Sequence, residues 1–228
     1  MVRPRPEVVA DSSPATGGAR SSPQGARLAQ NQLRRMRRIV DAAVDLAEKG
    51  GFEAVRLRDV AEQSDVALGT LYKYFRSKED ILLFALNEEI ERLEHAMATR
   101  SVAAGSAYER ISDFFRRGTR ALARRPQFAR AMIRSMTAGD ADTALKIAAL
   151  QLRIARLVTA ALRGTAPDVA APLDSSIGSV REQAIAFTIM QVWFSSLVGW
   201  AAGLHTERVV GDQVRTAAGL ILHRPEPK

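Results

Sequence analysis

The stretch from residue 55 to residue 82 constrains the fold of this chain more than any other part of it. Its pattern predicts two short helices, at residues 58–64 and 67–75, joined by a sharp turn. Leu71 and Phe75 give the second helix one apolar side. A short helix that is held from behind and carries polar groups outside suits insertion into a DNA major groove. Those outer groups are Thr70, Tyr72, Lys73 and Tyr74.

Two positions in this stretch have backbone roles. Gly69 costs a helix about 1 kcal/mol relative to alanine, so a close approach by another backbone explains it better than helix propensity. Asp65 lies in the turn, and Asp tolerates a positive φ better than most residues. An ordinary surface pair of helices with exposed Tyr and Lys is the alternative interpretation. The spacing favours DNA binding.

The most specific motif of the chain is Gly69-Thr70-Leu71-Tyr72-Lys73-Tyr74-Phe75 followed by Ser77-Lys78-Glu79-Asp80. This run of small, aromatic and charged residues closely resembles the DNA-binding domain of the TetR family of bacterial transcriptional repressors. The resemblance covers residues 34–95 well, and the rest of the chain only as a general all-helical pattern. It implies a homodimer that represses transcription by binding a roughly palindromic double-stranded DNA operator.

The resemblance also implies roles for single residues. Gly69 and Tyr72 would face base edges, with Thr70 close by. Phosphates would be held by Lys73, Tyr74 and Lys78, and Arg58 could serve either purpose. The full set of expected DNA-binding residues is Arg37, Arg38, Arg58, Leu68, Gly69, Thr70, Tyr72, Lys73, Tyr74 and Lys78.

The chain departs from the family pattern around the two short helices. Val55 and Arg56 stand where hydroxyl residues are usual, so the N-cap of the first short helix is not evident. Asp65 replaces the usual glycine of the turn. Ala67 replaces the usual serine at the next helix start, which is expected to remove one phosphate contact.

The net charge of +8 is concentrated at the start of the chain. Residues 1–40 contain eight arginines against Glu7 and Asp11. A basic arm beside a groove-reading helix fits phosphate neutralisation. Residues 1–30 are rich in Pro, Ser, Gly and Ala, lack apolar periodicity, and are predicted to be a disordered arm. A basic cluster in and after this arm either follows DNA phosphates, enters an adjacent minor groove or has no role. Its members are Arg27, Arg34, Arg35, Arg37 and Arg38.

Helical periodicity extends through the rest of the chain, with no alternating strand pattern. The first helix is expected at residues 30–49 and ends at Gly50-Gly51. The fold class is therefore all-α, with a helix-turn-helix DNA-binding domain at 31–78 and a larger helical ligand-binding and dimerisation domain at 79–228. The later helices are predicted at 77–100, 108–124, 127–138, 142–163, 180–204 and 207–222.

The helix at 77–100 would join the DNA-binding domain to the rest of the chain. Ser77 and Asp80 resemble a capping box, which fixes its start. Its tilt would set the distance between the two DNA-binding domains of a dimer. The expected inner face is Ile81, Phe84, Ala85, Ile90 and Leu93.

The helix at 180–204 has two possible interpretations. Residues 184–204 contain no charged side chain and are long enough to span a bilayer. However, Gln191, Ser195 and Ser196 interrupt the apolar run, and no basic cluster flanks it closely. A helix that packs on its own domain with one face and on a second subunit with the other is favoured, with no membrane partner.

The two faces of this helix have different members. One face contains Ile189, Met190, Trp193, Leu197 and Trp200, and the opposite face contains Phe187, Phe194 and Val198. The last helix is expected to complete a four-helix dimer interface with the side that carries Val210, Val214, Ala217 and Ile221.

In the TetR family the C-terminal region also binds a small inducer. Met and Phe at helical spacing are more often plain core, but these faces are apolar and adaptable, so a large apolar effector is expected. Motifs around residues 124–126, 192–195 and 65–72 are similar to actinobacterial repressors of sterol and lipid catabolism. That resemblance implies an acyl- or steroid-like ligand or its coenzyme A thioester. The candidate lining is Phe114, Phe115, Phe128, Met132, Met136, Met190 and Trp193.

Enzyme functions lack support in the sequence. The three histidines are far apart, and no metalloprotease, nucleophile-elbow or P-loop motif occurs. No catalytic residue, metal or cofactor is expected. The absence of cysteine fits a reducing cytoplasm. Two alternatives stay open, namely a ligand-responsive activator on the same fold, and a helical binding or membrane-associated protein that does not bind DNA.

Overall fold

A computed structural model of the protein describes residues 23–99, 104–137, 141–172 and 178–222. All regular structure in these ranges is helical, which confirms the predicted all-α class. The chain divides into two units, Met1–Arg34 and Arg35–Lys228, and the contacts given below lie within the second. The helices are α1 Pro23–Ala54, α2 Leu57–Gln63, α3 Leu68–Tyr74, α4 Lys78–Ala98, α5 Ala107–Ala123, α6 Pro126–Ser135, α7 Ala141–Arg163, α8 Val180–Ala201 and α9 Glu207–Leu222.

Helix α1 starts earlier than the sequence pattern predicts. The expected start was residue 30, and the helix begins at Pro23. Proline is tolerated in the first turn, and extending an existing helix is easier than nucleating a new one. The predicted break is confirmed, because Gly50 and Gly51 have non-helical backbone angles and Gly51 has φ 68°. Residues 1–22 of the predicted arm lie outside the described residues.

One continuous core joins the head, which we define as α1 to α3, to the body, which is α4 to α9. Buried side chains of the head, such as Ile39 and Val60, belong to the same cluster as Ile81 of α4, Phe128 of α6 and Trp200 of α8. The predicted boundary between residues 78 and 79 therefore crosses a shared core. That residues up to 78 bind DNA and residues from 79 onward bind a ligand and form the dimer stays a prediction.

Two further clusters hold the body together. The first, which includes Ile111, Phe115, Val158 and Ile189, lies among α5, α7, α8 and α9. The second joins α4 to α7 through Leu83, Ile90, Leu150 and Leu157. Phe114 packs against both clusters. Phe114 therefore links α5 to the cluster shared by α4 and α7.

Helix α8 has one buried and one exposed face, as predicted. Ile189 and Leu197 are buried, whereas Phe187 is 54% exposed and Val198 is also open. The helix is long and apolar enough to cross a membrane by length and composition alone. In the fold it packs against α6, α7 and α9. The exposed face is thus the part of α8 that lacks a partner within the described residues.

The prediction for α9 is wrong about which face looks outward. Val210 and Val214 were expected at a dimer interface, but both are buried against the core of their own chain. Helix α9 packs along α5 and α8, and that packing requires its apolar side. Leu220 lies on the exposed side instead.

Candidate nucleic-acid interface and helical core

Helix α3 is fixed to the head by two buried anchors. Leu71 and Phe75 are buried in the shared core, and the Phe75 ring meets the Phe84 ring edge-on at 5.5 Å between centroids. Leu68 and Tyr74 are partly buried against the same core. The apolar side of this short helix therefore holds it in place, as the sequence pattern predicts.

The turn before α3 has the conformation expected from its aspartate. Asp65 has φ 52°, the sole non-glycine residue with positive φ in the described ranges. The Val66 amide donates to the Ala61 carbonyl at 3.0 Å, and the Ser64 hydroxyl donates to the Val60 carbonyl at 2.7 Å. As expected from Val55 and Arg56, no side chain caps α2. These bonds fix the direction in which α3 leaves the turn.

The outward side of α3 is open to a partner. A Cβ placed on Gly69 would have no atom within 4 Å. Tyr72 is 52% exposed, Lys73 is exposed, and Thr70 is half-buried. The structure thus brings the predicted base-facing positions Gly69 and Tyr72 onto one accessible surface. We call this surface the reading face, and it consists of Gly69, Thr70, Tyr72 and Lys73.

The predicted arginines lie outside α3. Arg37 and Arg38 are exposed on α1, and Arg58 is exposed on α2. The guanidinium of Arg38 lies 3.5 Å from the Asp65 carboxylate, which links α1 to the turn. An exposed pair of this kind contributes little to stability, so it does not prevent Arg38 from meeting a phosphate.

Lys78 differs from the other predicted DNA-binding residues, because its ammonium points into the protein. It donates to the Phe52 carbonyl at 3.0 Å and lies 3.8 Å from the centroid of the Phe52 ring. It also lies 3.6 Å from the Glu53 carboxylate. Its side chain is 23% exposed.

The first turn of α4 is tied to α7. The Ser77 hydroxyl accepts from the Asp80 amide at 3.2 Å, which confirms one half of the predicted capping box. The Asp80 carboxylate accepts from Arg76 N at 3.1 Å and from Lys146 at 2.7 Å. Lys146 also binds Asp142 at 2.7 Å. Partial burial lowers the pKa of Lys146, but the hydrogen bonds to Asp142 and Asp80 raise it, and the net result is a raised pKa.

A buried ion cluster joins α4 to α7 and was not predicted. Glu94 is only 2% exposed, and its carboxylate accepts from Arg153 at 2.9 Å and from Arg156 at 2.7 Å. The prediction that Leu93 faces inward is wrong, since it is 40% exposed and Glu94 occupies the inner position. The signal was available: Glu94 lies one turn after Ile90, and the two arginines lie three apart on α7.

The candidate ligand residues are packed rather than arranged around one opening. Phe115 and Met190 lie in the α5–α9 cluster, Phe128 and Met132 in the shared core, and Met136 against the α4–α7 cluster. They therefore divide among three clusters, as plain core residues do. A surface groove of about 360 Å³ beside α6, lined by Phe52, Arg130 and Arg134 among others, includes none of the seven candidates.

Trp193 is the residue that connects these clusters. It packs against both the shared core and the α5–α9 cluster. Its ring centroid lies 5.2 Å from that of Phe115, and its indole N–H donates to the Thr119 hydroxyl at 2.9 Å. Gly118 lets α5 approach it closely, because a Cβ there would lie 3.2 Å from the indole. Sequence reasoning did not find Thr119 or Gly118, since neither belongs to a motif.

A helix-turn-helix head with an open reading face on a larger helical body defines a class, the one-component transcriptional regulators. Residues 39–84 match the family model "Bacterial regulatory proteins, tetR family", and residues 105–221 match "Tetracyclin repressor-like, C-terminal domain". The chain therefore belongs to the TetR family. It is a transcriptional repressor of the actinobacterial sterol-catabolism subgroup that its motifs indicated.

One relative supports this assignment by sequence, and two solved structures share the fold. The chain is 34% identical to the HTH-type transcriptional repressor KstR of Rhodococcus jostii, over 86% of this chain and 88% of the relative. A crystal structure of a TetR transcriptional regulator from Rhodococcus sp. RHA1 has TM-score 0.71 at 23% identity and covers 85% and 98% of the two chains. Thermus thermophilus FadR in complex with lauroyl-CoA has TM-score 0.58 at 22% identity, covering 85% and 98%.

Proposed function

We propose that this repressor binds a palindromic operator as a homodimer, through the reading face, and that a large apolar ligand releases it. The observation that carries the proposal is the open outer side of α3, where Gly69, Tyr72 and Lys73 are accessible while Leu71 and Phe75 are buried. Phosphate contacts set the register of a protein on DNA and base contacts set the sequence. Such a protein acts in the cytoplasm, where the DNA is.

In this proposal α8 supplies the dimer interface. Its exposed side carries Phe187 and Val198 together with the uncharged Gln191. A two-fold interface buries the same patch on both subunits, so one substitution acts twice. Leu220 of α9 is also exposed, and we propose that it adds to the same dimer interface.

Phe187→Arg tests the dimer. Two introduced charges would meet across the interface, and sedimentation equilibrium should then report a monomer. Leu145→Arg is the matched control, because Leu145 is a 73% exposed apolar residue on α7 that lies outside the proposed interface. A Phe187→Arg protein that sediments like the control would contradict this interface.

For the ligand we propose an acyl- or steroid-like molecule, or its coenzyme A thioester. Support comes from the FadR structure, whose own ligand is lauroyl-CoA, and from the apolar residues around Trp193. Because these residues are packed, ligand entry has to separate α5 from α8. Phe114 would then move against α4, whose tilt sets the spacing of the two heads.

The release mechanism is tested by titrating a protein–operator complex with lauroyl-CoA and with a steroid-acid CoA thioester. At least one should lower operator affinity and also change the fluorescence of Trp193, measured in a Trp200→Phe background because the chain has two tryptophans. If a thioester bound and left operator affinity unchanged, the proposed release mechanism would be wrong.

A further inference from the structure

The four residues Phe52, Glu53, Lys78 and Arg134 form one charged cluster at the junction of head and body, which we call the junction cluster. Lys78 and Arg134 both lie over the Phe52 ring, at 3.8 Å and 4.6 Å from its centroid. Both cations also contact the Glu53 carboxylate, Lys78 at 3.6 Å through Oε2 and Arg134 at 2.7 Å through Oε1. One ring and one carboxylate thus connect α4 to α6.

The members of the junction cluster come from three different helices. Gly51, with φ 68°, ends the regular part of α1 and turns the chain so that Phe52 and Glu53 follow directly. Lys78 is the first residue of α4, four positions after the end of α3. Arg134 comes from α6, in the body. The cluster therefore connects the last turn of α1 to the start of α4 and to α6 at one point.

Lys78 has little capacity left for a DNA phosphate. A lysine ammonium has three donors, and here a carbonyl, a carboxylate and a ring face surround it. Lys73 is the contrast, since it is exposed on α3 and forms no ion pair within the described part of the chain. Two lysines five residues apart therefore have opposite surroundings.

We propose that Lys78 is a positioning residue for operator binding and not a phosphate contact. By holding Phe52 and Glu53 it fixes the orientation of α3 relative to the body, and Arg134 completes the connection from α6. This inference rests on the proposed function, because it concerns how the reading face is held for DNA. It assigns Lys78 differently from the family resemblance, which implies a phosphate contact.

The test compares Lys78→Met with Lys73→Met in binding to a fluorescein-labelled duplex that the wild-type protein selects from random sequences. Dissociation constants are measured across a range of salt concentrations. Losing one phosphate contact lowers the slope of log affinity against log salt by about 0.9, so a dimer that loses two should show a decrease of about 1.8. Lys73→Met should show this decrease. Lys78→Met should weaken binding roughly tenfold, within the range for coupled contacts, with the slope unchanged.

Phe52 is not among the expected DNA contacts, so a loss of affinity on its substitution reports positioning. Phe52→Leu keeps apolar bulk and removes the ring face, and it should reproduce the roughly tenfold loss without a change of slope. Phe52→Tyr keeps the ring face and should bind like wild type. Circular dichroism below the melting temperature verifies that each variant is folded. The double variant Lys78→Met/Arg134→Met should lose less than the product of the two single losses, since both residues act through Phe52 and Glu53.

Two results would overturn the inference. One is a Lys78→Met slope that decreases as the Lys73→Met slope does, which would make Lys78 a phosphate contact. The other is unchanged operator affinity in Lys78→Met and Phe52→Leu with lowered melting temperatures, which would leave only a structural role. Failure of the proposed function looks different, because the wild-type protein would then show no preference for any selected duplex.

Discussion

The reading face of α3 and the ion cluster between α4 and α7 both carry charged side chains, but they use them in opposite ways. On α3, Lys73 is exposed and has no acidic partner within the described residues. Between α4 and α7, by contrast, Glu94 is buried between Arg153 and Arg156. An open cation is available for a phosphate, whereas a neutralised one holds helices in register. The role of a charged residue therefore depends on its neighbours as much as on its type.

The largest effect is expected where the charges are most deeply buried. Glu94→Gln should lower the free energy of unfolding by about 3 kcal/mol, because two arginines lose their shared carboxylate. Urea unfolding measures this directly. The control is Glu89→Gln, whose partner Arg92 is exposed, and it should cost under about 0.5 kcal/mol. Equal effects of the two variants would remove the distinction between interior and surface charges.

The second prediction concerns the reading face. Tyr72→Ala should lower the ratio of operator to random-DNA affinity by about 1–3 kcal/mol for each lost base contact, which is at least about 30-fold for a dimer that loses two. The free energy of unfolding should change by less than about 0.5 kcal/mol, since Tyr72 is 52% exposed. Competition titrations with both DNAs measure the ratio. A loss of equal size on operator and random DNA would show that Tyr72 does not read bases.

A third prediction concerns the polar contact within the apolar body. Thr119→Val should destabilise the protein by about 1–2 kcal/mol, because the Trp193 N–H would lose its acceptor in a partly buried site. Thermal or urea unfolding provides the measurement. Adding Trp193→Phe removes the unpaired donor, so the double variant should lose less than the sum of the single losses. Strict additivity would mean that the bond contributes nothing to the packing of α5 on α8.

The smallest effect is expected at the surface pair of Arg163 and Glu182. The hydrogen bond from Arg163, followed by those from Ser179, lowers the pKa of Glu182 to about 2. A lowered carboxylate pKa adds stability above the unfolded value of about 4.3, and this contribution is lost as the pH falls toward 2. Glu182→Gln should thus lower the melting temperature by under about 4 °C at pH 7. The difference from wild type should shrink between about pH 4.5 and pH 2, and a constant difference would contradict it.

The sequence predicts the helices of this protein well, because each has its own periodicity and end signals. The Ser77 cap and the Gly50-Gly51 break are both found where they were expected. The outward side of α9 was predicted wrongly, since Val210 and Val214 would suit a second subunit as well as the core of their own chain. Apolar periodicity shows that a face is buried but does not show by what.

The sites differ in how far local sequence could predict them. Gly69 and Tyr72 share one short helix, so their common surface follows from spacing alone. The contacts of Lys78 depend on Phe52, 26 positions earlier, and on Glu53, and its inward direction follows from tertiary packing. The Thr119–Trp193 bond spans 74 positions in the same way. Interactions of this range leave no periodic signal in one sequence.

The most direct test of sequence reading by α3 is to recover genomic DNA fragments with the purified protein at moderate salt, in parallel with Tyr72→Ala. The wild-type protein should recover a common palindromic sequence near a small set of promoters, and Tyr72→Ala should lose this preference while still retaining DNA. Recovery of unrelated fragments by the wild-type protein would contradict the claim that α3 reads a DNA sequence.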